Sequence, residues 1–180
     1  MPLFADYEPE RRGGPTPAGL TTRAATRDDL PVLAAIRAAR DEMPVEEATA
    51  VFVRQLASAA AGRGLVLAAV LDAAPVGYGV VERLAIPRLP EGFYLSGVVV
   101  APLHRRQGIG ARLTQGRLDW VAARDRRAYY FTNERNRVSV DLHARFGFRE
   151  LVRDLQVPGL TFSTGVGLLF GVELPPLPSA

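Results

Sequence analysis

The stretch "LSGVVVAPLHRRQGIGARL", Leu95 to Leu113, joins a run of apolar residues to a segment with helical spacing. Two glycines, Gly108 and Gly110, stand where the helix is predicted to begin, directly after a basic loop. The N–H groups at the start of a helix lack intrahelical partners, and the helix dipole adds partial positive charge there. Glycine lets the backbone approach a ligand closely. The order strand, basic loop, helix therefore predicts a cradle for an anion such as a diphosphate.

A second interpretation of the same loop is open at this point. The spacing R-x-x-G-x-G in Arg105–Gly110 is neither a dinucleotide fingerprint, which needs three glycines, nor a P-loop, which needs Gly-Lys-Ser/Thr. A basic turn that only caps a helix explains the hexapeptide equally well.

The composition suits one ordinary globular domain and excludes several kinds of site. The chain has 180 residues, of which 48% are hydrophobic and 23% charged, and its net charge is +3. The arginines are scattered rather than massed on one segment, so we expect no nucleic-acid partner. Without cysteine there is no disulfide or thiolate metal site, and with two histidines, His104 and His143, we expect no metal centre.

No membrane segment is predicted. The longest apolar stretch, Leu65 to Leu71, ends at Asp72 and is too short to span a bilayer. The first residues contain no apolar core of the kind that a secretory leader needs. We therefore expect a cytoplasmic protein without a membrane partner.

Alternating periodicities predict three parts of the chain and one α/β domain. Residues 1–19 and 175–180 are rich in proline and are interpreted as a flexible arm and a tail, flanking a domain at 20–174. Within the domain the predicted order is β α α β β β α β α β β, a mixed α/β layer with one central sheet. The predicted apolar stripes of the first and third helices are Val32, Ile36, Ala39 and Met43, and Ile109, Leu113, Gly116, Trp120 and Ala123.

Two segments together resemble one family. The opening stretch is similar to the cofactor-binding core of the GNAT superfamily of acyl-CoA-dependent N-acetyltransferases, and "NRVSVDLHARFGF", Asn136 to Phe148, resembles a second motif of that family. The predicted element order is also similar. The resemblance implies a GNAT-type fold, with a mixed central sheet splayed at the cofactor cleft and flanked by helices. It also implies direct transfer of an acetyl group from acetyl-CoA to a primary amine.

The resemblance further implies which residues bind acetyl-CoA. The backbone of Val98, Val99 and Val100 would pair with the pantetheine arm as an extra strand. Asn136 would meet a pantetheine amide, although an N-cap role explains an asparagine there equally well. The diphosphate would be held by the charged side chains and backbone amides of the loop: Arg105, Arg106, Gln107, Gly108, Ile109, Gly110 and Ala111.

His143 is the implied proton donor to the departing thiolate. Many relatives carry tyrosine at this position and some amino-acid N-acyltransferases carry histidine, whose pKa of about 6.5 suits acid or base chemistry. Two helical turns separate it from Asn136, which places both side chains on one face about 10 Å apart. A histidine that only packs against its neighbours is the alternative.

The general base is less well indicated. Where several relatives carry a glutamate this chain has Ser96, which could order a water but not remove a proton alone. Glu82 is the predicted alternative, because strand alternation places it on one face with Tyr78 and Val80. A glutamate that is merely exposed at the surface remains the other interpretation.

The acceptor is not predicted by the sequence. By family likeness it would contact the segments Arg40–Ala48 and Arg153–Gly165, of which the first carries four carboxylates and the second carries Arg153 and Phe162. These suggest opposite charges on the acceptor. A small-molecule amine or amino acid, a protein terminus or lysine, and a non-catalytic acyl-CoA-binding role therefore remain alternatives. Dimerisation is common in the family, so a homodimer is a further expectation.

Overall fold

The computed structural model describes residues 7–8, 14–156, 162 and 166–175, and these form the predicted order of elements. The strands are β1 (Thr21–Ala24), β2 (Gly64–Leu71), β3 (Ala74–Leu84), β4 (Gly92–Val100), β5 (Arg127–Asn133), β6 (Arg149–Arg153) and β7 (Gly167–Glu173). The α-helices are α1 (Leu30–Asp41), α2 (Val45–Ala60), α3 (Ile109–Ala122) and α4 (Arg137–Ala144). Short 3-10 turns precede α1 and α3, at Arg27–Asp29 and Pro102–His104.

The strands form one mixed sheet that opens in its middle. Its order is β1-β2-β3-β4-β5-β7-β6, and every neighbouring pair is antiparallel except β4 and β5. The parallel pair is joined only at Phe93–Ala128 and Tyr94–Tyr129. Beyond Tyr94 the two strands diverge, which confirms the predicted splayed sheet.

A β-bulge lies in β4 beside this opening. Gly79 pairs with Val98 and Val80 pairs with Ser96, so Gly97 is an extra residue on β4. Its φ of +64° is a left-handed conformation that glycine adopts at little cost. A bulge bends its strand and increases the local twist, so this one turns β4 away from β5.

Helices cover both faces of the sheet. Helices α1 and α2 pack on one face, where the core includes Leu33, Phe52, Tyr78 and Val80. Helix α3 packs on the other face against a larger core, and residues of α4 and its C-terminal turn join that cluster. Every strand in the middle of the sheet is therefore buried on both sides, as expected for a three-layer α/β domain.

The predicted stripes of two helices are partly wrong. In α1 the fully buried residues include Leu33 and Ala34, whereas Val32 is 39% exposed and Ile36 is only partly buried. The helix is so rich in alanine that apolar residues occur on more than one side, and contact with the sheet selects its rotation. In α3 Ala123 is exposed, whereas Arg117 is fully buried.

None of the helices formed by the described residues is both long enough and apolar enough to cross a membrane.

Candidate functional site

The predicted anion loop has the geometry of a backbone cradle. Arg106 and Gly108 both have left-handed φ values, +65° and +75°, and α3 begins directly after Gly108. The N–H of Arg112 donates to the carbonyl of Gly108 at 3.0 Å, so the N–H groups of residues 109–111 precede the helical ladder. Successive N–H groups in such a turn form a concave nest for anions. The loop can therefore receive a phosphate group through its backbone.

The two arginines of the loop are exposed and differ in their contacts. The Nε of Arg105 donates to the carbonyl of Val100 at 3.1 Å, which holds that side chain against the end of β4. The Nη2 of Arg106 donates to the carbonyl of Glu8 at 2.6 Å. Both cations lie at the rim of the cradle and supply positive charge there.

Residues of the predicted N-terminal arm lie beside the same loop. The hydroxyl of Thr16 is 2.9 Å from the point where a Cβ on Gly108 would stand, and the Tyr7 hydroxyl donates to Asp141 at 2.5 Å. The described arm residues thus contact both the loop and α4. The remainder of the arm and residues 176–180 of the predicted tail lie outside the described residues.

The edge of β4 that faces the gap is available for pairing. No residue of β4 after Tyr94 is paired with β5. The register with β3 directs Val98 and Val100 towards α3 and Val99 towards α1, so the side chains pack while the backbone edge faces the opening. An extended ligand can bind there as an additional strand.

Asn136 caps α4. Its Oδ1 accepts a hydrogen bond from the N–H of Ser139 at 3.3 Å, and its Nδ2 donates to the hydroxyl of Thr132 at 3.2 Å. The N-cap interpretation is therefore confirmed, and a contact with a ligand remains a prediction.

His143 is buried and held as one tautomer. The ring is 3% exposed and stacks on Tyr130 with 4.0 Å between ring centroids. Its Nδ1 lies 2.8 Å from the carbonyl of Ser139. Because a carbonyl can only accept, Nδ1 carries the hydrogen and the neutral ring has its lone pair on Nε2. That Nε2 is buried and has no hydrogen-bond partner among the described residues.

The surroundings of His143 keep it neutral. Burial, with a smaller effect from the positive charge of Arg117, lowers its pKa from 6.5 to about 4. At pH 7 the imidazole therefore carries no second proton. As placed, it can accept a hydrogen bond at Nε2 but cannot readily supply a proton to a leaving group.

Because the pKa of His143 falls on folding, the free energy of unfolding should depend on pH below 6.5. Between pH 6.5 and 4 the unfolded chain binds a proton on this residue, whereas the folded chain does not. The stabilisation from the neutral ring is therefore complete above pH 6.5, and the free energy of unfolding decreases as the pH falls below that value. A difference of about 2.5 pKa units corresponds to about 3 kcal/mol. Urea unfolding of wild type and His143→Gln at several pH values would measure it. Parallel curves for the two proteins from pH 7 to 4 would contradict the buried neutral ring.

Glu82 and Ser96 come together on one face of the sheet. Ser96 pairs with Val80 and Glu82 pairs with Tyr94, so all four side chains point to the face covered by α1 and α2. Glu82 and Ser96 are diagonal neighbours in this register, roughly 7 to 8 Å apart, and both are partly exposed. His143 lies on the opposite face, because its partner Tyr130 belongs to the core beneath α3. The gap between β4 and β5, where pairing ends at Tyr94, lies between the two sides.

Arg117 is the residue of this region that the sequence analysis missed. It lies one turn after Leu113 and one turn before Val121, on the stripe that α3 buries, and it is fully buried. It donates to main-chain carbonyls of Leu113, Val80 and Gly97 and to the hydroxyl of Thr114, at distances of 3.1 to 3.4 Å. Burial lowers its pKa to about 9, so the side chain remains a cation at pH 7. An arginine at an apolar position of a helical repeat was the signal for it.

The two predicted acceptor segments are more nearly neutral than their sequences suggest. Asp41 is paired with Arg37 at 3.4 Å and Arg40 at 3.0 Å. Arg153 is paired with Glu134 at 3.3 Å and Glu150 at 2.8 Å, so this cation and Asp41, one of the four carboxylates of the first segment, are balanced locally. Much of the second segment, residues 157–161 and 163–165, lies outside the described residues.

Aromatic rings lie on the same face as Glu82. Tyr94, Tyr129 and Leu169 form a buried cluster to which Phe131 and Phe162 add partly buried rings. The ring of Phe162 meets Phe131 edge-on, with 6.4 Å between centroids. An apolar group bound beside Glu82 would find these surfaces next to it.

A separate groove of about 680 Å³ runs along α4 and the β6–β7 hairpin. Its lining is mostly charged and contains none of the residues predicted for cofactor binding or catalysis: Glu134, Arg135, Arg137, Val140, Asp141, Glu150, Arg153, Leu168 and Phe170. Among the described residues no group of three or more His, Asp or Glu side chains is arranged to hold a metal ion.

The loop, the unpaired edge of β4 and the gap together form a candidate site for an extended, anionic ligand. The sequence profile of the acetyltransferase (GNAT) family matches residues 32–148. This is more than half of the chain, which therefore belongs to the GNAT family and is an acetyltransferase by class. No curated protein sequence matches the chain.

Solved structures of the same fold agree with this assignment. The chain is 25% identical to a ribosomal-protein-alanine N-acetyltransferase from Brucella melitensis, with a TM-score of 0.68 over 86% of this chain and 99% of that one. It is 17% identical to a phosphinothricin acetyltransferase from Sinorhizobium meliloti in complex with AcCoA, with a TM-score of 0.65 over 86% and 88%. It is 20% identical to yncA from Salmonella typhimurium with its cofactor acetyl-CoA, with a TM-score of 0.68 over 91% and 98%.

Proposed function

We propose that the protein transfers the acetyl group of acetyl-CoA to the primary amine of a small molecule or amino acid, by direct attack in a ternary complex. The observation that carries this proposal is the gap between β4 and β5, which has the cradle before α3 at one end and a candidate base on the far face. The family supports the reaction class, and the solved structures of this fold with bound acetyl-CoA support the cofactor.

Acetyl-CoA would bind from the face that carries α3 and α4. The diphosphate would accept hydrogen bonds from the backbone of residues 106–111, with Arg105 and Arg106 adding charge at the rim. The pantetheine arm would then run along β4 past Val100, Val99 and Val98 towards the bulge at Gly97. From Val100 to Ser96 the strand spans about 13 Å. The thioester would therefore reach the level of Ser96 and Glu82, where the gap opens to the other face.

In the reaction the amine nitrogen attacks the thioester carbon, a C–N bond forms, and the C–S bond breaks with its electron pair on sulfur. The ammonium form of the acceptor must first lose a proton, which Glu82 would take through a water held by Ser96 and pass to solvent. The attacking nitrogen loses a second proton as the amide forms, and Glu82 would take that proton by the same route. A backbone N–H of β4 near Val98 would stabilise the developing oxyanion. Because His143 is neutral, its proposed role is acceptance of a hydrogen bond at Nε2 from the cofactor or the amine.

The acceptor would bind beside the aromatic cluster of Tyr94, Phe131 and Phe162, on the face of Glu82. Because Arg153 is paired with Glu134 and Glu150, the aromatic wall favours an amine with an apolar body over one held by that cation. The likeness to a ribosomal-protein-alanine N-acetyltransferase favours a second candidate, acetylation of a peptide or protein terminus.

A thiol-release assay with acetyl-CoA tests the proposal and separates the two candidates. Each reaction would contain wild-type protein and one acceptor from a panel of apolar primary amines, free amino acids and short peptides that begin with alanine. We expect amine-dependent release with apolar amines or amino acids, and a product heavier by one acetyl group in mass spectrometry. Release with peptides alone would favour the second candidate. Binding of acetyl-CoA without turnover of any acceptor would contradict both.

A further inference from the structure

Arg117 is a buried cation without a carboxylate partner. It forms no ion pair among the described residues, and its four hydrogen bonds all end on neutral oxygens. Isolated buried charge is expensive, and an apolar side chain of similar volume is often tolerated better at such a position. Stability alone therefore does not account for an arginine at this position in α3.

Gly79 makes room for the guanidinium, and Gly97 binds it through its carbonyl. A Cβ on Gly79 would lie 2.8 Å from Nε of Arg117 and 2.9 Å from its Cδ. The arginine can therefore pack this closely against β3 only because position 79 is a glycine. Gly97, the bulged residue, offers its carbonyl to Nη1 at 3.1 Å. The cation is thereby fixed against the bulge of β4, in the part of the strand that is not paired with β5.

The positive charge acts on the cofactor side of the sheet. Its field extends to His143, whose pKa it helps to lower. That ring is stacked on Tyr130, whose pKa burial raises, so both groups are uncharged at pH 7. The other partners of Arg117, from α3, β3 and β4, are carbonyls and the hydroxyl of Thr114. Among these groups Arg117 alone carries a full charge.

We infer that Arg117 stabilises the sulfur of coenzyme A as a thiolate, so that the leaving group departs without receiving a proton in the site. The inference rests on the proposed function and extends it. When the C–S bond breaks, its electron pair stays on sulfur and one negative charge appears near the bulge. A fixed cation in a poorly solvated environment stabilises such developing charge without having to reorganise. The two protons lost by the acceptor nitrogen leave on the opposite face through Glu82, and the thiolate is protonated after release into water.

The neutral state of His143 agrees with this division of roles. A leaving group that is protonated in the site needs a donor with a transferable proton on the cofactor face. Neutral His143 has none on Nε2, because its hydrogen is on Nδ1 against the carbonyl of Ser139. A thiolate needs a cation instead, and Arg117 is one. Arg117 is thus a positioning residue that acts by its field and by holding the bulge, rather than by contact with the acetyl group.

The test compares coenzyme A with desulfo-coenzyme A, which lacks the thiol, on wild type, Arg117→Met and Arg117→Lys. Calorimetry measures the affinity for both ligands, and ultraviolet absorbance of the thiolate measures the pKa of the bound thiol. In wild type we expect this pKa to lie at least about one unit below that of free coenzyme A measured in parallel. Affinity for coenzyme A, but not for the desulfo ligand, should then increase with pH.

Arg117→Met should abolish this shift, while Arg117→Lys, which keeps the charge, should retain most of it. If Arg117 only holds the bulge in place, Arg117→Met should lower the affinity for both ligands equally and leave the pKa of the bound thiol unchanged. That result would overturn the inference. If Arg117→Met does not fold, the thiol pKa in wild type and in Arg117→Lys still tests the inference. A bound thiol in wild type with the same pKa as free coenzyme A would contradict it by itself. Failure of wild type to bind either ligand would instead refute the proposed cofactor site.

Discussion

Gly108→Glu is expected to raise the Kd for acetyl-CoA at least about 100-fold, which corresponds to a loss of about 2.7 kcal/mol in binding free energy. The residue lies between the left-handed turn at Arg106 and the first turn of α3, with a φ of +75°. A carboxylate there would occupy the cradle, repel the diphosphate and satisfy the free N–H groups itself. Calorimetric titration of both proteins with acetyl-CoA measures the change, and circular dichroism verifies that the fold is retained.

Two further variants separate charge from strain in this experiment. Gly62 has a similar φ of +72°, with nothing within 4 Å of a Cβ built on it. Gly62→Glu therefore introduces the same strained conformation and charge far from the loop, at a cost of about 1 to 2 kcal/mol in stability. It should bind acetyl-CoA normally. Gly108→Gln introduces a side chain of similar size without the charge. Its affinity for acetyl-CoA should lie between those of Gly108→Glu and Gly62→Glu. Equal affinities for wild type and Gly108→Glu would rule out the loop as the diphosphate site.

Glu82→Gln is expected to lower kcat about 100-fold or more with little change in the affinity for acetyl-CoA. The amide keeps the size and one acceptor oxygen of the side chain, but it cannot take the proton of the ammonium group. The loss should decrease as the pH approaches the pKa of the amine acceptor, because the free amine has already lost the first of its two protons. Initial rates of thiol release against pH, at saturating acetyl-CoA, measure this.

Glu91 supplies the matched control for a lost carboxylate. It is exposed and paired with Arg83, whose strand also carries Glu82, so Glu91→Gln removes a nearby charge without touching the gap. Its kcat should equal that of wild type. Ser96→Ala should give a smaller loss than Glu82→Gln, because it removes only the group that orders the water. Full activity in Glu82→Gln at neutral pH would exclude Glu82 as the base.

The two faces of the sheet carry different residues of the candidate site. Sequence spacing indicates that Glu82 shares a face with Val80 and that His143 follows Asn136 by two turns, but neither pattern relates one element to the other. The sheet register places the candidate base on one face and the histidine on the other. Proton removal and leaving-group stabilisation can thereby occur on opposite sides of one gap, without the two groups neutralising each other.

Local patterns in the sequence determined the element order and the family and predicted the anion loop, because each depends on neighbours within a few residues. Alternation of apolar and polar residues predicts strands, and a glycine directly before a helix predicts backbone N–H groups that a ligand can approach closely. The tertiary structure alone decided the rotation of α1, the burial of Arg117 and the neutral state of His143. Contacts across the sheet place Arg117 against carbonyls of β3 and β4. Burial of His143 lowers its pKa, against the opposite effect of the hydrogen bond to Ser139 in its own helix. Burial and charge are properties of the packed neighbourhood, which no short stretch of sequence contains.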